Sequence, residues 1–151
     1  MDAKDRQIIR ALQISGRLTN QELSEKVNLS PSPCSRRVRA LEESGVITGY
    51  TALVDQKAYG LPLTVFIRIR LEHHSKEDVA RFEQGVRQID EILDCFLMTG
   101  VADYLLRVIV ANLDAYEGFV RTRLHTIPGI ASIDTSFAYG TVKQTQVYPS
   151  A

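Results

Sequence analysis

The first part of the chain carries apolar residues at helical spacing, interrupted by turn residues. A stripe that includes Ile8 and Leu12 predicts an amphipathic helix over residues 2–15. Thr19, followed three residues later by Glu22, has the capping-box pattern that opens a second, short helix. Two helices with their apolar faces turned to one side need a third element to complete a core.

A third helix follows after a tight turn at Asn28. Ser30 is a good N-cap, and Pro31 occupies the first helical position, where its missing N–H costs nothing. Gly45 ends the helix. A supporting helix followed by two short helices and a turn predicts a helix-turn-helix domain over residues 1–50.

The outward side of the third helix is polar and basic. Ser32, Arg36 and Arg39 lie within about 60° of one another on the helical wheel, opposite the apolar residues, and Ser35 flanks them. Arginine can bond guanine in the major groove, serine can reach a base edge or a phosphate, and the helix N-terminus suits a phosphate. The candidate DNA-contacting residues are Ser30, Ser32, Ser35, Arg36, Arg37 and Arg39. Arg37 lies nearer the core side and could instead pack its stem or pair with a glutamate; a merely solvated basic face is the alternative for the whole cluster.

Beyond Gly45 the pattern changes from helical to extended. Residues 46–54 predict a strand, and the segment 51–62 is interpreted as a linker strand and hinge. From residue 63 to 151 strands and helices follow in the order β-α-β-β-α-β, which predicts a ferredoxin-like sandwich and an α+β fold overall. The predicted strands are 63–71, 92–98, 104–111 and 130–139, and the predicted helices open at Ser75 with Asp78 and at Asp114 with Glu117.

Charge is distributed unevenly although the net charge is zero. Residues 1–50 carry eight Lys and Arg against six Asp and Glu, and residues 51–151 carry ten against twelve. Three of the eight cations, Arg36, Arg37 and Arg39, fall within four positions. A weakly basic N-terminal part with one dense cluster is compatible with DNA binding. No apolar run is long enough for a membrane span and the N-terminus is polar, so we expect a cytoplasmic protein without membrane contact.

The cysteines and histidines do not form a recognisable catalytic or metal site. Cys34 and Cys95 are far apart, lack metal-ligand spacing and are predicted to be buried in a reducing compartment. His73 and His74 are adjacent, so in a strand they would point to opposite faces, and His125 stands alone. We therefore expect neither an enzyme nor a metal centre.

Several motifs together resemble the Lrp/AsnC family, the feast/famine regulators. The matching segments are 5–9, 16–23, 29–38, 41–50, Thr99–Gly100, Asp103–Leu106 and Pro128–Gly129. The stretch LSPSPC together with the later TGxxDY is highly specific, and the resemblance spans nearly the whole chain.

The resemblance implies a transcription regulator with a winged-type helix-turn-helix, a linker strand and a ferredoxin-like domain that binds a small molecule. It implies double-stranded DNA and an amino-acid effector as partners, no cofactor, and dimers formed through the sheets that assemble to an octamer. The effector would lie at the turn between the middle strands, at contacts between dimers. The candidate effector residues are Thr99, Gly100, Val101, Ala102 and Asp103, with Thr135 and Ser136 contributed by a neighbouring subunit.

The chemistry of the turn agrees with such a ligand. Gly100 allows close approach of the backbone, whose N–H groups can hold a carboxylate, and Asp103 can pair with an ammonium group. A plain hairpin turn in which Asp103 bonds the backbone is the alternative. Many family members have a polar residue after the glycine, whereas this chain has Val101 and Ala102. Small or branched apolar amino acids are therefore the expected effectors.

Two other functions remain to be distinguished. Some haem-pathway decarboxylases share this two-domain architecture, but they would be expected to lose the basic face of the third helix. A stand-alone amino-acid-binding module would lack the helix-turn-helix. Arg36 and Arg39 favour the regulator over both.

Overall fold

The computed structural model describes residues 1–149, which form two compact units. One unit contains residues 1–53 together with the described end of the chain, 142–149, and the other contains Val54–Thr141. The chain therefore crosses between the units twice. No helix among the described residues is long and apolar enough to cross a membrane.

The first unit has the three predicted helices, α1 (Ala3–Ile14), α2 (Asn20–Lys26) and α3 (Pro31–Glu43). The capping box predicted at Thr19 is present, with the Glu22 amide donating to Thr19 Oγ1 and the Glu22 carboxylate accepting from the Thr19 amide. Ser30 is the N-cap of α3, but its hydroxyl makes no capping bond. Gly45 follows the end of α3 with φ 73°, a left-handed conformation that favours glycine.

Each of the three helices contributes buried side chains to the core of this unit. Ile8 of α1, Leu23 of α2 and both Cys34 and Leu41 of α3 are buried, and Val27 joins them after α2. Burial of the Cys34 side chain confirms the prediction for that thiol and raises its pKa through desolvation. With Cys34 and Leu41 held inward, the opposite side of α3 is left to solvent.

The strand predicted over residues 46–54, and the linker strand within 51–62, are not observed in the single chain. Residues 48–55 have no regular secondary structure and pair with no described strand, and 56–60 form a turn. In that turn Asp55 O accepts from the Tyr59 amide at 2.9 Å. The segment has the apolar and β-branched residues typical of a strand, but a strand needs a neighbour to satisfy its backbone groups, and residues 1–149 offer none there.

The second unit is built on a four-stranded antiparallel sheet. Its strands are β1 (Leu63–Leu71), β2 (Ile92–Leu97), β3 (Tyr104–Val110) and β4 (Ile130–Phe137), in the spatial order β2-β3-β1-β4. This is the predicted ferredoxin-like arrangement, with the first and third strands in the centre. Ile67 lies opposite Leu106 on one side and opposite Thr135 on the other.

Two helices, α4 (Lys76–Arg87) and α5 (Leu113–Thr122), pack with the sheet in this unit, and a 3-10 turn (Leu124–Thr126) follows α5. Every second residue of β1 and β3 is buried on the side of the sheet that the helices cover. There these residues form one core with Phe82 of α4 and Phe119 of α5. The N-cap of α5 is Asn112, whose Oδ1 accepts from the Ala115 amide at 2.8 Å, and not Asp114 as predicted. Asparagine is as good a cap as aspartate, so the helix begins at the earlier of the two residues.

The other side of the sheet is open. It carries the apolar side chains of Phe66, Leu105 and Phe96 together with two ion pairs. The pairs are Arg68 with Asp134 and Arg107 with Asp94. Arg68 and Arg70 share this face, as the alternation of β1 predicts.

Cys95 is exposed, and the prediction that it is a buried core residue is wrong. It lies on β2, an edge strand of the sheet, where a residue on the helix side is covered less completely than in the centre. Desolvation and the nearby Glu83 carboxylate raise the pKa of the thiol to about 11, so it is a poor nucleophile at neutral pH.

Two helical glycines give a matched stability prediction. A Cβ at Gly85 in α4 would lie 2.9 Å from Ile127 Cγ1, whereas one at Gly118 in α5 would meet nothing within 4 Å. We expect Gly85→Ala to lower the free energy of unfolding by about 1–3 kcal/mol through overpacking. Gly118→Ala should raise it by about 0.5–1 kcal/mol through helix propensity. Urea unfolding of the two variants measures both; equal effects would contradict the packing at Ile127.

Candidate nucleic-acid interface and effector turn

The outward face of α3 lies beside a shallow cleft in the first unit. The cleft has a volume of about 360 Å³, and its lining residues are Asn20, Pro31, Ser32, Ser35, Arg36 and Arg39. Ser30 at the N-cap is also exposed. The structure thus brings five of the six predicted DNA-contacting residues to the start and outer face of one helix, with two guanidinium groups beside short hydroxyl side chains.

Asn20 was not predicted from the sequence. It is the first residue of α2, and its Nδ2 donates to the carbonyl oxygen of Pro31 at 2.9 Å. This bond ties the start of α2 to the start of α3. No sequence signal marks it, because the contact depends on the angle between two helices.

Arg37 is directed to the start of α1. Its Nη1 lies 2.8 Å from Asp2 Oδ2 and 2.7 Å from Asp5 Oδ1. The hydrogen bonds that Arg37 donates to Asp5 and Asp2 raise the pKa of the guanidinium. Asp2, which accepts from the Asp5 amide and from Arg37, has its pKa lowered. Arg37 is therefore paired with carboxylates, but its partners are two aspartates and not the predicted glutamate, and Arg37 does not line the cleft.

We expect Arg37 to position α3 and not to neutralise a phosphate. Arg37→Met should weaken DNA binding without changing the slope of log affinity against log salt, because the substitution removes no group that releases counterions from DNA. Arg36→Met is the matched control and should lower that slope by about 1 per phosphate contact. A salt series by fluorescence anisotropy measures both variants. A slope reduced equally by the two substitutions would make Arg37 a phosphate contact.

In the second unit the turn between β2 and β3 contains the predicted effector residues 99–103. The hairpin is closed by the Met98 amide, which donates to Asp103 O at 2.8 Å, and the Asp103 amide donates to Ile69 O at 2.9 Å. Gly100 has φ 112°, a conformation that favours glycine, and Val101 is 87% exposed. The turn is therefore an apolar, solvent-facing loop anchored on β1 through Asp103.

Both carboxylate oxygens of Asp103 have partners within the chain. Oδ2 accepts from the Leu71 amide at 2.7 Å, and Oδ1 lies 2.9 Å from His74 Nε2. The Leu71 bond first and the His74 bond second lower the pKa of the carboxyl. Asp103 thus makes the backbone bond of the plain-turn alternative, and His74 adds a contact that only the fold could reveal.

Thr135 and Ser136 point to opposite sides of β4. Thr135 faces the helices, with its Oγ1 2.5 Å from the Tyr116 hydroxyl, whereas Ser136 is exposed on the open face opposite Phe66. Adjacent residues of a strand cannot share one face. Their contribution to an effector site, expected from a neighbouring subunit, stays a prediction.

Comparison with known proteins relates each unit to a described family. Residues 1–48 match the model of a winged helix-turn-helix DNA-binding domain, and residues 64–148 match the Lrp/AsnC ligand binding domain. This chain belongs to the Lrp/AsnC family of transcription regulators.

Similar proteins support this membership along the whole chain. The Bkd operon transcriptional regulator of Pseudomonas aeruginosa is 42% identical over 142 residues, 94% of this chain and 93% of that protein. The leucine-responsive regulatory protein of Escherichia coli K12 is 39% identical over 145 residues, 96% of this chain and 88% of that protein. A Neisseria meningitidis transcriptional regulator, crystallised as a complex with L-Met, is 39% identical with a TM-score of 0.93, over 99% of this chain and 96% of that one.

As a member of the Lrp/AsnC family, the protein is a DNA-binding regulator and not an enzyme. Within residues 1–149 no three His, Cys, Asp or Glu side chains are grouped so as to hold a metal ion. Arg36 and Arg39 are present on the outer face of α3, whereas the haem-pathway decarboxylases would be expected to have lost that basic face. The helix-turn-helix match lies within the first unit, whereas the ligand-binding match covers the second unit from residue 64 and continues through residues 142–148 of the first.

Proposed function

We propose that this protein controls transcription in the cytoplasm by placing two α3 helices of a dimer in successive major grooves of a pseudo-palindromic site. The observation that carries the proposal is the exposed face of α3, where Arg36 and Arg39 lie beside Ser32 and Ser35. Arginine reads guanine, and serine reaches base edges and phosphates. Half-sites would be spaced by about one helical turn or a multiple of it.

Dimerisation through the open face of the sheet is part of the proposal. Phe66 and Phe96 are 37% and 52% exposed there, and exposed aromatic side chains on one face favour contact with another protein surface. The Arg68–Asp134 and Arg107–Asp94 ion pairs lie among these apolar side chains, with Arg107 opposite Phe66 and Arg68 opposite Leu105. Assembly of four dimers to an octamer is the further expectation from the family, with DNA wrapping as its consequence.

The effector we propose is a small apolar amino acid bound at residues 99–103, with no cofactor. The similar Neisseria meningitidis regulator was crystallised with L-Met, which supports an amino acid as the ligand class. The exposed Val101 beside the open backbone of Gly100 offers hydrophobic contact to an aliphatic side chain. An effector that binds one assembly state better than another changes DNA affinity by shifting the population of the two states.

A thermal-shift screen of the twenty amino acids tests the effector proposal, with oligomer size followed by light scattering. We expect one or a few aliphatic amino acids to raise the melting temperature and to change the oligomer size together. Binding stabilises the folded state by mass action, so the shift should grow with ligand concentration. No stabilisation by any amino acid at millimolar concentration would overturn this part of the proposal.

A further inference from the structure

The described end of the chain, residues 142–149, forms part of the DNA-binding unit; we call it the C-terminal segment. It groups with residues 1–53, although residues 54–141 lie between them in the sequence. The segment is held on α1 by Arg10 and Gln13, which are three positions apart and so lie on one side of the helix.

The Gln13 carboxamide binds the backbone of the segment as a neighbouring strand would. Its Nε2 donates to Gln146 O at 2.8 Å, and its Oε1 accepts from the Tyr148 amide at 3.2 Å. The two hydrogen bonds therefore lie on either side of Val147. A residue in a parallel sheet likewise bonds the carbonyl before, and the amide after, the residue opposite it. Arg10 Nη1 adds a third bond, to Tyr148 O at 3.2 Å.

All three bonds go to main-chain atoms. Tyr148 is 72% exposed, so at this position the main chain and not the tyrosine ring is recognised. Covalent attachment keeps the main chain of the segment at a high effective concentration beside α1. The fitting occupant of the Arg10 and Gln13 side of α1 is therefore the chain's own C-terminal segment.

The contact gives the DNA-binding unit a second attachment. One covalent crossing lies between residues 53 and 54, and the other between 141 and 142, shortly after β4 ends at Phe137. Fixing the second crossing to α1 restricts the freedom of the unit that carries α3. Within that unit α1 is joined to α3 by the Asp5–Arg37 pair and by Ile8 in the shared core.

We propose that the C-terminal segment is a tether that pre-organises the DNA-binding unit, so that a dimer can occupy two half-sites with less loss of entropy. The proposal rests on the proposed function, because it presupposes binding to a two-half-site DNA. It also predicts that part of the effector response passes through β4 and this segment. When the segment is released from α1, the DNA-binding unit is joined to the second unit only through residues 53 and 54.

The test compares Gln13→Ala with Gln7→Ala, an exposed glutamine of the same helix, in the full chain. We expect Gln13→Ala to lower affinity for a two-half-site duplex by about 3- to 10-fold, since loss of a tether lowers the effective concentration of the second α3. Affinity for a single half-site should be unchanged, as should both affinities of Gln7→Ala. A chain ending at Thr141 should reproduce the Gln13→Ala result.

Each other outcome has a definite meaning. Equal two-half-site affinity of wild type and Gln13→Ala would overturn the tether, whereas wild type that binds neither duplex would overturn the proposed function. A bismaleimide cross-link between Ile14→Cys, an exposed position next to Gln13, and Val147→Cys, in a Cys95→Ser background, identifies the occupant and leaves Arg10 and Gln13 in place. A product that migrates as a monomer on a denaturing gel supports the chain's own segment; one that migrates as a dimer would assign the segment to a second copy.

Discussion

Replacing Arg36 and Arg39 together by alanine is expected to lower affinity for a DNA fragment upstream of the protein's own coding region by about 100-fold, because each arginine that reads a base contributes about 1–3 kcal/mol. Both side chains line the cleft beside α3. The slope of log affinity against log salt should also fall by about 1 for every phosphate that is no longer neutralised. Fluorescence anisotropy with a labelled duplex, repeated over a salt series, measures both quantities.

A matched loss of charge serves as the control for this pair. Arg87 and Arg121 have side chains that are 75% and 73% exposed on the second unit, so replacing both by alanine removes the same two charges. That variant should keep the affinity and most of the salt slope. Equal losses in the two double variants would mean that net charge governs binding and that the face of α3 does not.

Asp103 is expected to show the second large effect, on effector binding and on stability together. Asp103→Ala leaves the Leu71 amide without its acceptor, which should lower the free energy of unfolding by about 1–3 kcal/mol and remove stabilisation by any effector. Asp103→Asn keeps an oxygen for Leu71 but loses the charge. We therefore expect Asn to retain most of the stability and still lose the effector response, as measured by thermal shift with and without ligand.

The pH dependence of these variants separates the two roles of the carboxylate. The pKa of Asp103 is lowered in the folded state, so its ionised form stabilises the fold above the ordinary pKa of an aspartate, about 3.9. That contribution is lost as pH falls through the folded pKa. The stability difference between wild type and Asp103→Asn should therefore be present at pH 7 and shrink below about pH 4. A difference that stays constant down to pH 2 would show that charge plays no part.

The parts of the fold that could be predicted are those governed by local rules. The capping box at Thr19, the N-cap at Ser75 and the alternation of β1 depend on residues a few positions apart, and each is present. The outward face of α3 follows from the helical period once Cys34 and Leu41 are assigned to the core. These local rules also suffice to order the elements into a ferredoxin-like unit.

The parts that could not be predicted depend on distant segments. Residues 46–54 have the composition of a strand, but whether they pair depends on a neighbour that the described part of the chain does not provide. Cys95 has apolar neighbours in sequence, yet its place on an edge strand decides its exposure. The His74 contact with Asp103 and the Gln13 contact with the C-terminal segment join residues 29 and more than 130 positions apart, beyond the reach of any local pattern.

The central claim is that one chain couples an amino acid to DNA binding through α3. Its most direct test is the affinity of the full-length wild-type protein for its upstream DNA, measured at fixed salt with and without the amino acid found by thermal shift. We predict a change of about 5-fold or more, the range of a coupling free energy of about 1–3 kcal/mol, absent in Asp103→Asn. The same affinity with and without saturating amino acid in the wild-type protein would contradict the account.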